Sequence, residues 1–310
     1  MSVYSIFKGK GPNGFGYGST AEDVTAGLSL AGKTILVTGC NSGLGLETMR
    51  VLALRGAHVL GAARTQAKAD AACAQVTGKA TGIACELSDP ASVRGCVEQV
   101  KKSGARLDAI ICNAGIMALA KRAQAHGFEL QFFTNHIGHF ILVTGLLDQL
   151  ADDGRVVMLS SAGHVAAPKE GIRFDDLSAE KSYGPWVNYG QSKLANILFA
   201  KELARRFAGT ARTANAVHPG VIRTNLSRNM GMPAWAERLG FGLGEALFFK
   251  TVPQGAATEC YVATNPGAAK ISGAYFADSN VKDPRPDAND PALAAKLWEV
   301  SEKIVAGLPV

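Results

Sequence analysis

The sequence lacks the features that mark several classes of protein. Its six cysteines form no C-x-x-C motif and no cysteine–histidine spacing suited to zinc, which is typical of a protein from a reducing compartment without a bound metal. No apolar run reaches the about 18 residues that span a bilayer. Residues 1–10 do not combine a basic segment with an apolar one, as a signal peptide does. We therefore predict a cytoplasmic protein with no metal and no membrane anchor.

Charge of one sign is not concentrated anywhere along the chain. The net charge is +6, but the 32 lysines and arginines are scattered, and no run resembles a nucleic-acid-binding arm. We predict no nucleic-acid partner, and either a mildly positive surface or a positive cleft for an anionic cofactor. The 310 residues contain no internal repeat and no linker. We predict a glycine-rich arm over residues 1–30 and one domain over residues 31–310.

A strand, a glycine-rich turn and a helix follow one another at the start of this domain. The strand is predicted at Lys33–Thr38 and the helix at Leu46–Arg55. Glycines permit a tight turn and close approach of a pyrophosphate, and the helix N-terminus supplies free N–H groups and partial positive charge. This order indicates a dinucleotide-binding unit. Its predicted cofactor residues are Gly39, Asn41, Ser42, Gly43, Leu44 and Gly45.

The next predicted strand, Ala57–Ala63, ends at Arg64 rather than at an acidic residue. An acidic residue there would bind the ribose 2′-hydroxyl of NAD, whereas an arginine can pair with the 2′-phosphate of NADP. The alternative is a surface arginine at the end of a strand. We predict that NADP(H) is the preferred cofactor, with NAD(H) as the alternative.

Strands and helices continue to alternate, which favours an α/β fold. We predict a single Rossmann-type doubly wound domain with a mainly parallel seven-stranded sheet flanked by helices. Further strands are predicted at 80–85, 107–112, 155–159, 213–217 and 273–276, and helices at 90–102, 128–150, 194–207, 253–264 and 292–305. Because ligands bind at the carboxyl ends of parallel strands, Gly39, Asn113 and Ser161 should meet at one rim.

Tyr189 and Lys193 lie four residues apart near the start of a predicted amphipathic helix, so both side chains fall on one face. A nearby ammonium group favours phenolate and should lower the tyrosine pKa from about 10. The pair could then act as general acid on a carbonyl or as base on an alcohol. Such pairs also occur by chance in many helices, so the rest of the chain decides.

Two segments are predicted to contact substrate. Residues 162–188 contain glycine, proline and charged residues, as a surface excursion does. Residues 225–250 spread large apolar side chains among glycines, which is typical of a substrate lid or of two packed helices.

Several motifs together resemble the short-chain dehydrogenase/reductase family, from about Gly32 to the C-terminus. The family motifs are Thr38-Gly-Cys-Asn-Ser-Gly-Leu-Gly45, Asn113-Ala-Gly115, Asn135, Ser161, Tyr189-x-x-x-Lys193 and Pro219-Gly220. The sub-pattern resembles the retinol dehydrogenase and WW-domain-containing oxidoreductase branch. It consists of Ala62-Ala-Arg64, Asn135-His-x-Gly-His-Phe140, Phe174-Asp-Asp-Leu177 and Pro253-x-Gly-Ala-Ala257.

The resemblance implies a catalytic role for each of four residues. Tyr189 would protonate the carbonyl oxygen, Ser161 would hydrogen-bond that oxygen, and Asn135 would hold a water that links Lys193 to solvent. Lys193 would hold the nicotinamide ribose and lower the tyrosine pKa. The resemblance also implies cofactor contacts from Glu86, Leu87, Asn113, Ala114, Gly115, Tyr189, Lys193, Pro219, Gly220, Val221 and Thr224, where Glu86 replaces the aspartate usual in the branch. It further implies a homodimer or homotetramer.

We therefore predict an NADP(H)-dependent oxidoreductase that interconverts a carbonyl group and an alcohol on a mainly apolar small molecule. Two alternatives remain open. One is a binding protein that senses NADP(H) without turnover. The other is a C=C reductase similar to the light-dependent protochlorophyllide reductases, which share the glycine-rich turn and the tyrosine–lysine pair.

Overall fold

The computed structural model describes residues 8–222 and 249–309, and within them the chain forms one Rossmann-like α/β domain. Ten strands are β1 Thr34–Thr38, β2 His58–Ala63, β3 Lys79–Ala84, β4 Leu107–Cys112, β5 Gln124–Ala125, β6 Phe128–Glu129, β7 Leu150–Leu159, β8 Thr213–His218, β9 Tyr275–Ala277 and β10 Asn280–Lys282. Eight of them form the main sheet in the order β10-β9-β8-β7-β4-β1-β2-β3, while β5 and β6 form a separate pair.

The α-helices cover the two faces of this sheet. They are α1 Ala21–Val24, α2 Gly43–Leu54, α3 Gln66–Cys73, α4 Pro90–Lys102, α5 Leu130–Phe132, α6 Gly138–Leu146, α7 Pro185–Arg206, α8 Val252–Thr264 and α9 Pro291–Ala306. A π-helical segment, Phe133–Ile137, joins α5 to α6. One apolar core lies between the sheet and α4, α6, α7 and α9, and the other between the sheet and α1, α2, α3 and α8. Strands covered on both faces are apolar almost throughout, as in β4.

The predicted count of seven strands is wrong, because the main sheet has eight. The unpredicted strand, β10, pairs antiparallel with β9 at the edge of the otherwise parallel sheet. The turn between them places Asp278 at φ 54° and Ser279 at φ 60°, a left-handed conformation that suits a tight hairpin. Since β10 has three residues and Val281 is 52% exposed, the strand has no apolar pattern that a sequence reading could detect.

Two predicted helices differ from those in the structure. The single helix predicted over 128–150 is divided by the π-helical segment, and β7 begins at Leu150. Helix α7 is the predicted amphipathic helix, but the charged side chain of Glu202 on it is only 1% exposed. Arg205 and Arg206 compensate that carboxylate at 2.7 and 2.9 Å. Two guanidinium groups on the same helix therefore make the burial of this charge tolerable.

The glycine-rich arm packs against the end of the sheet. Asn13 donates its side-chain amide to the Ser279 carbonyl at 2.6 Å, and Asn280 donates to the Phe15 carbonyl at 3.1 Å. Thr20 then caps helix α1 with its side chain, which accepts the Asp23 N–H. The arm is therefore fastened to the β9–β10 hairpin, far along the chain from its own sequence position.

Candidate active site

A cavity of about 760 Å³ opens at the carboxyl ends of the central strands. It is lined by the ends of β1, β4 and β7, so Gly39, Asn113 and Ser161 meet at one rim as predicted. Other predicted residues that line it are Asn41, Ser42, Gly43, Leu44, Arg64, Glu86, Leu87, Ala114, Gly115, Tyr189, Lys193, Pro219, Gly220 and Val221. Gly45 lies directly behind the turn, Asn135 lies behind Gly115, and Thr224 falls outside the described residues.

The glycine-rich turn is a close-packed backbone cradle. A Cβ atom at Gly45 would lie 2.3 Å from the Gly39 carbonyl oxygen and 2.5 Å from the Asn113 amide nitrogen. Asn113 donates that amide to the Thr38 carbonyl at 2.8 Å, which joins the ends of β1 and β4. Gly39 has φ +71° and Gly43 has φ +55°, values at which a side chain would be strained. The turn thus brings backbone and the N-terminus of α2 to the cavity, which fits a dinucleotide phosphate.

The far end of the cavity carries the residues predicted to face the adenosine half of a cofactor. Arg64 follows β2 directly, is exposed and lines the cavity. The Glu86 carboxylate accepts hydrogen bonds from the backbone N–H and hydroxyl of Ser88 at 3.1 and 2.9 Å. Glu86 therefore stabilises the turn after β3, while Arg64 presents the positive charge.

Tyr189 and Lys193 lie on one face of α7 at the inner end of the cavity, and both are buried. The Lys193 ammonium lies 5.7 Å from the centre of the tyrosine ring and donates to the Leu159 carbonyl at 2.9 Å. Ser161 faces the same place from the end of β7, within hydrogen-bonding reach of the Tyr189 hydroxyl. Ser160 is turned away and donates to the Lys193 carbonyl at 2.8 Å.

The predicted lowering of the Tyr189 pKa is wrong for the described structure. Burial raises the pKa of Tyr189 to about 12, and the hydrogen bond from Ser161 opposes this only in part. Burial also lowers the pKa of Lys193 to about 8. Desolvation, which the spacing of the two residues along the chain cannot show, is the largest cause of both shifts.

Asn135 lies in the π-helical segment and its side chain is fully paired with its neighbours. Its side-chain oxygen accepts the Ile116 N–H at 2.8 Å, and its side-chain NH₂ group donates to the Ile116 carbonyl and to the Ser192 hydroxyl, both at 2.9 Å. A Cβ atom at Gly115 would lie 3.0 Å from the Asn135 carbonyl oxygen and 3.3 Å from the Lys193 ammonium. Gly115 therefore keeps these two side chains close to each other.

Comparisons with known proteins agree with this geometry. The sequence model described as short chain dehydrogenase matches residues 33–172. Short-chain dehydrogenase TIC 32 A, chloroplastic, from Brassica napus is 41% identical over all of both chains. Human retinol dehydrogenase 14 is 40% identical over 88% of this chain and 86% of its own. The chain belongs to the short-chain dehydrogenase/reductase family. Within that family it lies in the retinol dehydrogenase branch.

Solved structures of this short-chain dehydrogenase/reductase family share the fold. A crystal structure of a protein from Mycobacterium paratuberculosis is 34% identical and has a TM-score of 0.75, covering 94% of this chain and 100% of that one. A short-chain dehydrogenase from Burkholderia cenocepacia, solved in complex with NADP, is 25% identical with a TM-score of 0.62 over 80% of this chain and 96% of that one. The Rossmann-like fold of this family member is thus established.

In this short-chain dehydrogenase/reductase, large apolar side chains line the cavity beyond Tyr189. Trp186, within the predicted range 162–188, is 48% exposed and meets the Tyr189 ring edge-on at 6.1 Å. Of the predicted range 225–250, only Phe249 and Lys250 are described, and Phe249 lines the cavity. Lining residues that were not predicted from the sequence include Ile116, Met117, Leu130, Thr134 and His218. Trp186, by contrast, carried a usable signal, because it lies about one helical turn before Tyr189.

No helix within 8–222 and 249–309 is long and apolar enough to cross a bilayer. In the same part of the chain, no three histidine, cysteine or acidic side chains are grouped so that they could hold a metal ion.

Proposed function

We propose that the protein is an NADP(H)-dependent oxidoreductase that interconverts a ketone or aldehyde and the corresponding alcohol on a mainly apolar small molecule. One observation carries the proposal. The Tyr189 hydroxyl and Ser161 lie together in a cavity that is also lined by the glycine-rich turn and by the apolar side chains of Trp186 and Phe249. A reacting oxygen bound there would have both a proton donor and an apolar surround.

The protein's own residues would position the substrate and move one proton. In the reduction direction Tyr189 donates its hydroxyl proton to the substrate oxygen, while Ser161 hydrogen-bonds that oxygen. The Lys193 ammonium, buried beside the tyrosine ring, stabilises the phenolate that remains. The bound nicotinamide cofactor supplies or accepts the hydride. The same groups acting in reverse remove the proton from an alcohol.

The preference for NADP(H) rests on charge at the end of β2. Arg64 is exposed at the cavity and can pair with a 2′-phosphate, and the residues before it are alanines rather than an acid. The relative from Burkholderia cenocepacia was solved with NADP. A cytoplasmic location and a homodimeric or homotetrameric assembly remain predictions.

The first experiment measures initial rates of NADPH and NADH oxidation with a panel of aldehydes, ketones and quinones, with Tyr189→Phe beside the parent. We expect faster turnover with NADPH and a loss of about a hundredfold or more in Tyr189→Phe, because the proton donor is removed. Full turnover in Tyr189→Phe would refute the role of the tyrosine. Cofactor binding without turnover of any compound would favour a sensor, and turnover only under illumination would favour C=C reduction.

A further inference from the structure

Tyr17 in the glycine-rich arm lies close to two ammonium groups. Lys8 lies 5.4 Å and Lys250 4.9 Å from the centre of its ring, both within cation–π range. Asp278, in the β9–β10 turn, pairs with the same two lysines at 3.6 and 2.7 Å. One ring and one carboxylate therefore hold two cations at the point where the arm meets the sheet.

Lys250 directly follows Phe249, which lines the active-site cavity, and it also belongs to this cluster. Its side chain is only 1% exposed, so its ammonium depends on Asp278 and Tyr17 to offset desolvation. Its backbone N–H donates to the Val221 carbonyl at 2.9 Å, and it forms a parallel bridge with Ile222. A Cβ atom at Gly220 would lie 2.6 Å from the Lys250 Cδ atom, so the lysine stem packs directly on that glycine.

The segment gripped by Lys250 is the loop after β8. Pro219, Gly220, Val221 and Ile222 line the cavity. They follow β8, which lies next to β7 in the sheet and is separated by three strands from β2, the strand that Arg64 follows. Gly220 has φ +97°, a conformation that other residues rarely adopt and that the surrounding contacts must maintain. A contact that fixes this loop would act on whatever binds beside Tyr189, not on the adenosine end of the cavity.

We propose that the arm is an intramolecular brace for the nicotinamide end of the cofactor site, in which Tyr17 and Asp278 are positioning residues that fix Lys250 and, through it, the loop Pro219–Ile222. This inference rests on the proposed function, because it assigns that end of the cavity to the nicotinamide. The brace is extended by Gln254, which donates to the Gly18 carbonyl at 3.3 Å. The arm thereby contacts both Lys250, which forms a bridge with Ile222 of the loop, and helix α8 near its start.

The test compares two ligands that share the adenosine end and differ at the nicotinamide end. Dissociation constants of NADPH and of 2′,5′-ADP are measured for the full chain and for Tyr17→Leu and Asp278→Asn. Asparagine is close in shape to aspartate and tolerates positive φ, so the second variant removes charge without disturbing the turn. We expect both variants to bind NADPH about fivefold more weakly while 2′,5′-ADP binding changes by less than about twofold.

Matched controls separate the brace from general damage. Tyr17→Phe keeps the ring face and should bind NADPH like the parent, and Asp283→Asn makes the same charge change at an exposed site directly after β10. Equal weakening of both ligands, or no change in either, overturns the brace while leaving the proposed function standing. A parent chain that binds neither ligand refutes the proposed function itself. If Tyr17→Leu does not fold, Asp278→Asn alone gives the decision.

Discussion

Lys193 is buried at a position where burial opposes the charge that its proposed role requires. The ammonium has one described acceptor, the Leu159 carbonyl, and desolvation lowers the lysine pKa to about 8. A buried ammonium with so few hydrogen-bond partners lowers the stability of the folded state, as groups retained for function often do. The consequence can be measured as stability.

We predict that Lys193→Met is more stable than the parent and inactive. Because the folded-state pKa is lowered to about 8 from 10.5, the unfolded chain binds more protons between those values, and the parent's stability rises with pH across that window. At pH 7 methionine should raise the free energy of unfolding by on the order of 2 kcal/mol.

Denaturant unfolding of both proteins at pH 7 and pH 10 measures this difference. The Leu159 carbonyl keeps a donor in the variant, because Asn196 also donates to it at 3.0 Å. The gain in the variant should shrink at pH 10. If Lys193→Met were less stable than the parent at pH 7, burial of the Lys193 ammonium would not carry the free-energy cost assigned to it.

Arg64 gives a second prediction at the scale of one residue. We expect Arg64→Leu to raise KM for NADPH about tenfold and to leave KM for NADH nearly unchanged, because a charge-assisted contact with the 2′-phosphate is lost. Steady-state kinetics with both cofactors measures the ratio. Arg106→Leu removes an exposed guanidinium remote from the cavity, paired with Asp152 at 2.8 Å, and should change neither value. Equal increases in KM for NADPH and NADH would show that Arg64 does not recognise the 2′-phosphate.

At the scale of elements, helices α2 and α8 enclose an acidic side chain. The Thr48 hydroxyl on α2 donates to Glu259 on α8, and both residues are buried. The second carboxyl oxygen of Glu259 has no hydrogen-bond partner among the described residues. Burial raises the Glu259 pKa to about 7, so the helix that begins at the cofactor turn packs against a group that titrates near neutrality.

We predict that Glu259→Gln stabilises the protein at pH 8 and has little effect at pH 4.5. Since the folded-state pKa is raised above 4.5, the folded chain binds more protons between pH 4.5 and about 7, and the parent loses stability as pH rises through that window. The gain at pH 8 should be on the order of 2 kcal/mol. Thermal unfolding across this pH range measures it, with the exposed Glu302→Gln as control. If the difference in stability between Glu259→Gln and the parent did not change with pH, the Glu259 carboxyl would not titrate in the folded protein.

At the scale of the whole molecule, the cavity joins both halves of the sheet, so cofactor binding should stabilise the domain as a unit. NADPH at about 100 times its dissociation constant should raise the free energy of unfolding by about 2.7 kcal/mol, and Tm by about 4 °C. NADH at the same concentration should give a much smaller shift, and Arg64→Leu should remove the difference. Equal shifts with the two cofactors would refute the NADP(H) preference.

The local sequence pattern was sufficient to predict the elements whose bounds are set by their own residues. Strand β4 begins and ends where its apolar run does, at Leu107 and Cys112, and α4 follows its predicted bounds. Helix α3 was not predicted, since Gln66–Cys73 is rich in alanine and has no clear apolar stripe. Strand β10 exists because β9 offers it a partner, which no short window of sequence contains.

The sequence by itself determined the family, the alternation of strands and helices, and the residues that meet at the rim of the cavity. Spacing and residue type decide these, because a parallel sheet brings the carboxyl ends of its strands together. Only the tertiary structure decided the direction of the Tyr189 pKa, the burial of Glu259 and the placement of Tyr17 beside Lys250. Desolvation and contacts between distant segments depend on what surrounds a side chain, and the order of residues along the chain does not contain that information.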